Sequence, residues 1–251
     1  MRAPIFLKTL AVLALCGLAA CAVPDEPVTR DDGVFDPYEA TNRKVHSFNR
    51  GLDRAIVRPA ARGYSGILPD PVEDSVSNFA SNLSMPGVMV NGLLQGDLEV
   101  TGAAFARFFV NTVLGVGGLF DVATAVDMPQ ADTDFGETLY VWGVPEGAYM
   151  ELPLLGPATE RDAVGRVVDF FTNPLSYALD SPESYYGRAS RLGARLSDRE
   201  RFSDTVDSIL YESTDSYAQL RLIYLQNRRF DLGQVDGGAE IDPFELDTEG
   251  F

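Results

Sequence analysis

Cysteine, histidine and tryptophan are scarce in this chain: two, one and one in 251 residues. A single histidine, His46, excludes a two-histidine zinc motif. Basic residues are few as well, 20 against 37 acidic ones, for a net charge of −17. Without a global basic field there is nothing to displace phosphate counterions, so no nucleic acid is expected. Catalytic signatures are missing too. Gly63-Tyr-Ser-Gly66 lacks the G-x-S-x-G spacing of a nucleophile elbow. Gly115-x-Gly-Gly118 has neither a preceding strand nor a following lysine, as a phosphate loop requires. Asp132 and Asp134 lack EF-hand spacing, and nothing in the spacing pairs two carboxylates for glycoside cleavage. No solenoid repeat is visible. These absences predict no enzyme, no metal and no cofactor.

What is present begins at the amino end. Arg2 and Lys8 give a positive start, and Leu10 to Ala20 is apolar. That run is shorter than the roughly 20 residues needed to span a bilayer. It ends in Leu18-Ala19-Ala20-Cys21, the pattern of a bacterial lipobox. Residues 1–20 therefore read as a lipoprotein signal peptide and Cys21 as the acylated residue, carrying fatty chains such as palmitate. Cys16 follows the bulky Leu15 and fits the pattern poorly. The alternative is an ordinary secretory signal that leaves a free thiol. Once Cys21 is acylated, no disulfide and no Cys–His catalysis remain. Ala22 and Val23, rather than Asp, follow the cysteine, which resembles lipoproteins sorted to the outer membrane. Residues 21–35, with Pro24, Pro27, four acids and Gly33, form a flexible tether.

The body, 36–229, reads as one mainly helical domain. Asp36-Pro37 supplies an N-cap and a first-turn proline for a helix reaching about Val57. Val45, Phe48, Leu52 and Ile56 share one face, with Arg43, Arg50 and Arg54 opposite. Residues 41–62 hold six basic residues and one acid, Asp53. Such a basic amphipathic helix near a lipid anchor lies on an anionic headgroup layer, or is an ordinary solvated helix. Arg58-Pro59 is expected to end it, because the residue before proline is pushed out of the α region. A loop over Gly63–Pro71, a helix over 72–84 and a break at Pro86-Gly87 follow.

Ala103 to Phe120 is 18 residues with one charge, Arg107, and one amide, Asn111. The pair sits four apart on one helical face. Gly115, Gly117 and Gly118 then loosen the backbone. Either this is a buried core helix, or it enters the lipid region with Arg107 and Asn111 turned to a polar cavity. Leu139 to Leu155 carries Trp142 around a Pro145-Glu-Gly147 turn, which predicts a short hairpin-like loop. That loop either packs conventionally or gates a path. Helices are expected over Asp162–Phe171, Ser184–Leu196 and Asp204–Arg229, with a polar linker at Asp180–Glu183. Residues 230–251 hold seven acids and no base, a solvated, disordered tail.

Taken in order, several short pieces resemble the VacJ/MlaA family of phospholipid-binding lipoproteins. They are Asp36-Pro37-x-Glu39, Asn42-Arg43, Phe48-Asn49, Arg58-Pro59, Asn78-Phe79, Asn82-Leu83, Pro86, Val90-Asn91 and Leu94-Gln95-Gly96. The densest block is Arg107-Phe-Phe-x-Asn111-Thr with Gly115-x-Gly-Gly-x-x-Asp121-Val-Ala. Phe135-Gly136-x-Thr-Leu139, Gly143-Val144, Leu152-Pro153, Gly156 and Arg161-Asp162 complete it, and the resemblance thins beyond Pro174. It implies a ring-like helical fold embedded in one leaflet of the outer membrane and anchored on the periplasmic face. It further implies phospholipid transport that keeps the membrane asymmetric, with a trimeric porin and a soluble periplasmic lipid carrier as partners. On this view Arg107, Phe108, Asn111, Gly115, Gly117 and Gly118 border the lipid path. Trp142 and Gly143 belong to its gate, and Arg43, Arg50 and Arg54 face the membrane. Two other readings stand beside it: a lipoprotein that only scaffolds a porin, and a lipid hydrolase built on His46 and a serine.

Overall fold

A computed structural model describes residues 34–175 and 183–234. The signal peptide, Cys21, most of the tether, the linker at 180–182 and the tail beyond 234 lie outside the described residues. Among the described residues the architecture is mainly helical with one two-stranded sheet.

Helix α1 (Glu39–Leu52) starts two residues later than the sequence implies. Asp36 does not cap it. It is buried, and accepts from Asn42 Nδ2 at 2.9 Å, from Arg221 Nη1 at 2.7 Å and from the Tyr217 hydroxyl. A buried carboxylate needs such partners more than a helix end does, because exposed amides find water. Nor does Arg58-Pro59 stop the helix. A π-helical turn (Asp53–Val57) leads directly into α2 (Arg58–Ile67). The Arg58 amide reaches back five residues to the Asp53 carbonyl. The wider turn shifts the carbonyl that the proline ring would otherwise strike. The expected loop at 63–71 shrinks to Leu68 and Pro69.

Helix α3 (Asp70–Gln95) runs straight through Pro86. An interior proline costs about 3 kcal/mol. Burial of Met85 and Val88 against Ala104 of α4 (Leu98–Val113) offsets that loss. Gly96, with φ of 76°, and Asp97, whose carboxylate accepts from the Val100 amide at 2.9 Å, turn the chain between the two helices. Helix α4 begins and ends earlier than the apolar run. Residues 114–120 are turns, because Val116, Gly117 and Gly118 all take positive φ.

A short helix α5 (Val122–Ala125) and α6 (Phe135–Val141) follow. The hairpin is displaced from its predicted place. Its strands are β1 (Tyr149–Leu152) and β2 (Gly156–Thr159), antiparallel with Tyr149 opposite Thr159 and Leu152 opposite Gly156. The Pro145–Gly147 segment belongs instead to the connection from α6. Helix α7 (Glu160–Thr172) starts at Thr159, whose hydroxyl caps it by accepting from the Asp162 amide. Helix α8 (Glu183–Arg201) is longer than predicted and packs on α2 and α3. The predicted helix over 204–229 is interrupted: α9 (Ser203–Asp207), a second π turn (Ser208–Glu212), then α10 (Ser216–Asp231). Its last turn runs into the region assigned to the tail. Val34, Tyr149, Tyr217 and Leu225 form a second core that joins the segment before α1 to the hairpin and α10.

Candidate functional site

Helix α4 is inverted relative to a water-soluble amphipathic helix. Ala104, Arg107 and Asn111 are buried, while Phe105, Phe109 and Val113, four apart on the other face, are each more than half exposed. Arg107, 5% exposed, donates from Nη2 to both Asp121 carboxylate oxygens at 3.0 and 3.2 Å and to Thr124 Oγ1 at 2.8 Å, and from Nη1 to the Met128 carbonyl. Asn111 donates to Asp121 and accepts from the Ala123 amide, both at 2.9 Å. Burial works to raise the Asp121 pKa. The Thr124 and Asn111 hydrogen bonds and the Arg107 charge outweigh it and hold the carboxyl below its ordinary range. The predicted pair is thus brought together, and it fastens segment 114–128 onto α4.

Phe108 is half-buried beside Ala104 and Met85. The three glycines differ. A Cβ on Gly115 would fall 2.1 Å from the Phe120 carbonyl oxygen, and one on Gly118, at φ 97°, 2.5–2.8 Å from Asn82 side-chain atoms. Gly117, at φ 73°, faces open space. Val116 holds φ 54° although it is β-branched, an outlier of the kind that marks functional strain.

The apolar surface continues around α4. Leu93, Leu94 and Leu98 are exposed at the α3–α4 turn, and Val116, Leu119, Phe120 and Val126 beyond α4. Trp142, the helix α6 terminus, is half exposed and donates to the Leu94 carbonyl at 3.0 Å. It also meets Phe135 edge-on. Gly143 follows at φ 85°. Meanwhile the interior is polar: Asn91, Thr138, Thr159 and Ser197 are among the largest fully buried side chains. No helix among the described residues is long and apolar enough to cross a membrane.

The basic helix divides by partner. Arg43 is bound by Glu39 at 2.8 Å and Asp215 at 2.7 Å. Among the described residues, Arg50 and Arg54 have no carboxylate within ion-pair distance. They lie over the Tyr211 ring at 5.8 and 4.8 Å. The Arg43 hydrogen bonds hold the Asp215 pKa at about 2. A carboxyl depressed in the fold contributes stability that is complete above its unfolded pKa, near 4, and is lost as pH falls toward 2. The melting-temperature gap between wild type and Arg43→Gln is therefore expected to be constant near pH 6 and to close between about pH 4 and 2.

His46 is buried, with Nε2 2.9 Å from Ser216 Oγ and Nδ1 3.5 Å from Glu151 Oε1. Sequence reasoning did not foresee this grouping, since its partners lie over 100 residues away and carry no local signal. Arg228 was not foreseen either: it binds Asp134 and Asp162, 94 and 66 residues away, beside an acidic cleft of 360 Å3. Around it, burial pushes the Asp132, Glu137 and Asp169 carboxyls up.

With this geometry established, the comparisons are specific. The sequence profile described as MlaA lipoprotein matches residues 34–231. The chain belongs to the MlaA lipoprotein family. It is 38% identical over 221 residues to the intermembrane phospholipid transport system lipoprotein MlaA of Escherichia coli (strain K12), covering 86% of this chain and 84% of that one. It is 39% identical over 189 residues to an uncharacterized protein of Rickettsia felis, covering 75% and 74%. A solved structure described as "Structural basis for maintenance of bacterial outer membrane lipid asymmetry" superposes with TM-score 0.67 at 35% identity, covering 78% of this chain and 98% of that one. The MlaA match extends through α10, well past Pro174 where the short motifs thin out. Tertiary wiring explains the extent: Arg221 pairs with Asp36, and Tyr224 and Arg228 with Asp162.

Proposed function

We propose that this MlaA-family protein is a phospholipid transport component that performs no covalent chemistry. In this reading it is held by acylated Cys21 on the periplasmic face of the outer membrane, sits partly in one leaflet as a ring-like body, and keeps the membrane asymmetric. It takes phospholipid from the outer leaflet and passes it to a soluble periplasmic carrier, working beside a trimeric porin. Phe108 and the Gly115, Gly117 and Gly118 turn, braced by Arg107 and Asn111, border the lipid path. The Trp142–Gly143 segment gates it.

One observation carries the reading: polar groups inside α4 and phenylalanines outside. Water penalises such a coat, at about 25 cal/mol per Å2 of exposed apolar area, whereas acyl chains do not. A helix too short to span yet apolar outward suits one leaflet. The name shared by the Escherichia coli and Shigella flexneri relatives, intermembrane phospholipid transport system lipoprotein MlaA, agrees with it.

Two measurements test the reading. Cells lacking the protein are expected to expose phospholipid on their surface, corrected by wild type and not by Cys21→Ala. A pure porin scaffold would leave surface phospholipid unchanged. Second, Trp142 is the single tryptophan. Its emission is expected to shift to the blue on adding phospholipid vesicles, with quenching by lipids brominated near the headgroup; an unshifted spectrum counts against leaflet insertion.

The Ser216, His46 and Glu151 grouping favours one competing reading, a serine hydrolase. Its geometry falls short in two respects. Ser216 is buried at the first turn of α10, and the Asp215 side chain already takes the Ala218 amide there. The helix-start donors that would stabilise an oxyanion are thus partly spent. Release of free fatty acid by wild type, abolished in Ser216→Ala, would restore the hydrolase.

A further inference from the structure

A second amphipathic feature involves no residue of α4. Helix α1, both π turns, the β1–β2 hairpin and α10 line an open cleft of 270 Å3. One part of its lining is polar: His46, Asn49, Arg50, Asp53 and Glu151. The rest is aliphatic, including Leu52, Leu154, Leu155, Leu210 and Leu220. Resting on the transport reading above, we infer that this cleft holds the head end of one phospholipid, with its phosphate on Arg50 and the first part of an acyl chain along the leucines, the rest of the lipid lying outside.

Charge accounting points to an anion. Both acids in the lining are committed. Asp53 accepts two bonds from Arg199 at 2.9 Å and one from the Tyr211 hydroxyl at 2.6 Å. Glu151 accepts from the Tyr149 hydroxyl at 2.7 Å and from Asn49 at 3.2 Å. Arg50, which lies over the Tyr211 ring at 5.8 Å, is the charged lining residue with no carboxylate partner among the described residues, in a chain whose net charge is −17. A guanidinium offers two parallel donors to a phosphate. His46 Nδ1 faces Glu151 Oε1 at 3.5 Å, so Arg50 alone supplies the donors to the phosphate.

The apolar wall is held in place at a local cost. Leu154 takes φ 67°, a conformation unfavourable for a leucine. Asn49 enforces it by accepting from the Leu154 amide at 2.8 Å and donating to the Leu152 carbonyl at 3.0 Å. A strained hairpin corner that keeps Leu154 and Leu155 more than half exposed beside a cleft fits a binding wall better than a turn chosen for stability.

The test uses the full lipidated chain in maltoside micelles, with three probes: radiolabelled lysophosphatidylglycerol, a monoacylglycerol of the same chain length, and inorganic phosphate. Arg50→Gln is expected to weaken the lysophospholipid at least tenfold and leave the monoacylglycerol unchanged. Leu154→Gly relieves the backbone, so it is expected to keep or raise the melting temperature while weakening both lipids several-fold. Equal lysophospholipid affinity in wild type and Arg50→Gln would overturn the assignment, as would displacement of the lipid by millimolar phosphate. Phospholipid copurifying with wild type is measured alongside. If it is present and undiminished in Arg50→Gln, the cleft fails and the transport reading stands. If wild type carries none, both fail.

Discussion

Arg107→Glu is expected to destabilise the domain by about 3–5 kcal/mol and to let phospholipid accumulate in the outer leaflet, while the protein stays on the membrane. The magnitude follows from placing an unpaired carboxylate at the buried position 107, beside the partly exposed Asp121. Arg107 satisfies Asp121, Thr124 and the Met128 carbonyl at once, so the substitution both removes these donors and adds a second anion. Membrane attachment is expected to persist because it depends on Cys21. A double replacement, Arg107→Gln with Asp121→Asn, removes both charges and is expected to recover much of the lost stability. Chemical denaturation of wild type, Arg107→Gln, Asp121→Asn and the double variant gives the coupling energy. If the double variant is as unstable as the sum of the singles, the network is not a coupled unit.

The second large effect is expected at Gly118. Gly118→Val combines a positive φ, disfavoured for L-residues by roughly 1–2 kcal/mol, with overpacking against Asn82, which adds about 1–3 kcal/mol. Gly117→Ala meets open space and should lose only the conformational part. Gly102→Ala, inside α4 with nothing near its Cβ, should gain about 0.5–1 kcal/mol. Melting temperatures are thus expected in the order Gly102→Ala, wild type, Gly117→Ala, Gly118→Val. A Gly118→Val protein that melts with wild type would show that this turn does not pack on α3.

Both predictions concern a small piece of chain, 107–128, that lies beneath the most apolar surface described. Its polar bracing is the reverse of a soluble helix. In water, the buried face of a helix is apolar and the exposed face polar. Here Asp121 and Arg107 hold the turn from within, and Phe105 and Phe109 stack at 6.4 Å on the outside. The same division recurs at Trp142, which donates inward to Leu94 while its ring remains half exposed.

Local rules read well where the deciding forces were local. The helical spacing of α1, α7 and α8, the Arg107–Asn111 face and the crowded glycines at 115 and 118 are all visible in the residue order. The rules failed at Pro59 and Pro86. A neighbouring π turn in one case, and burial of Met85 and Val88 in the other, outweighed proline's local preference. They misplaced the hairpin because Pro145-Glu-Gly147 is a strong turn signal, while the true corner uses Leu154 in a left-handed conformation that no propensity would select. They assigned Asp36 to a cap, since the partner that claims it, Arg221, is 185 residues away.

By itself the sequence determined the helical class, the acidic character and the stripe that pairs Arg107 with Asn111, because periodicity and charge are properties of neighbours along the chain. Only the tertiary structure decided which side of that stripe faces out, which arginines stay unpaired and where the leucine-walled cleft opens. Periodicity defines two faces of a helix without ranking them. The ranking comes from contacts between segments far apart in the chain, and those contacts turned the phenylalanines outward.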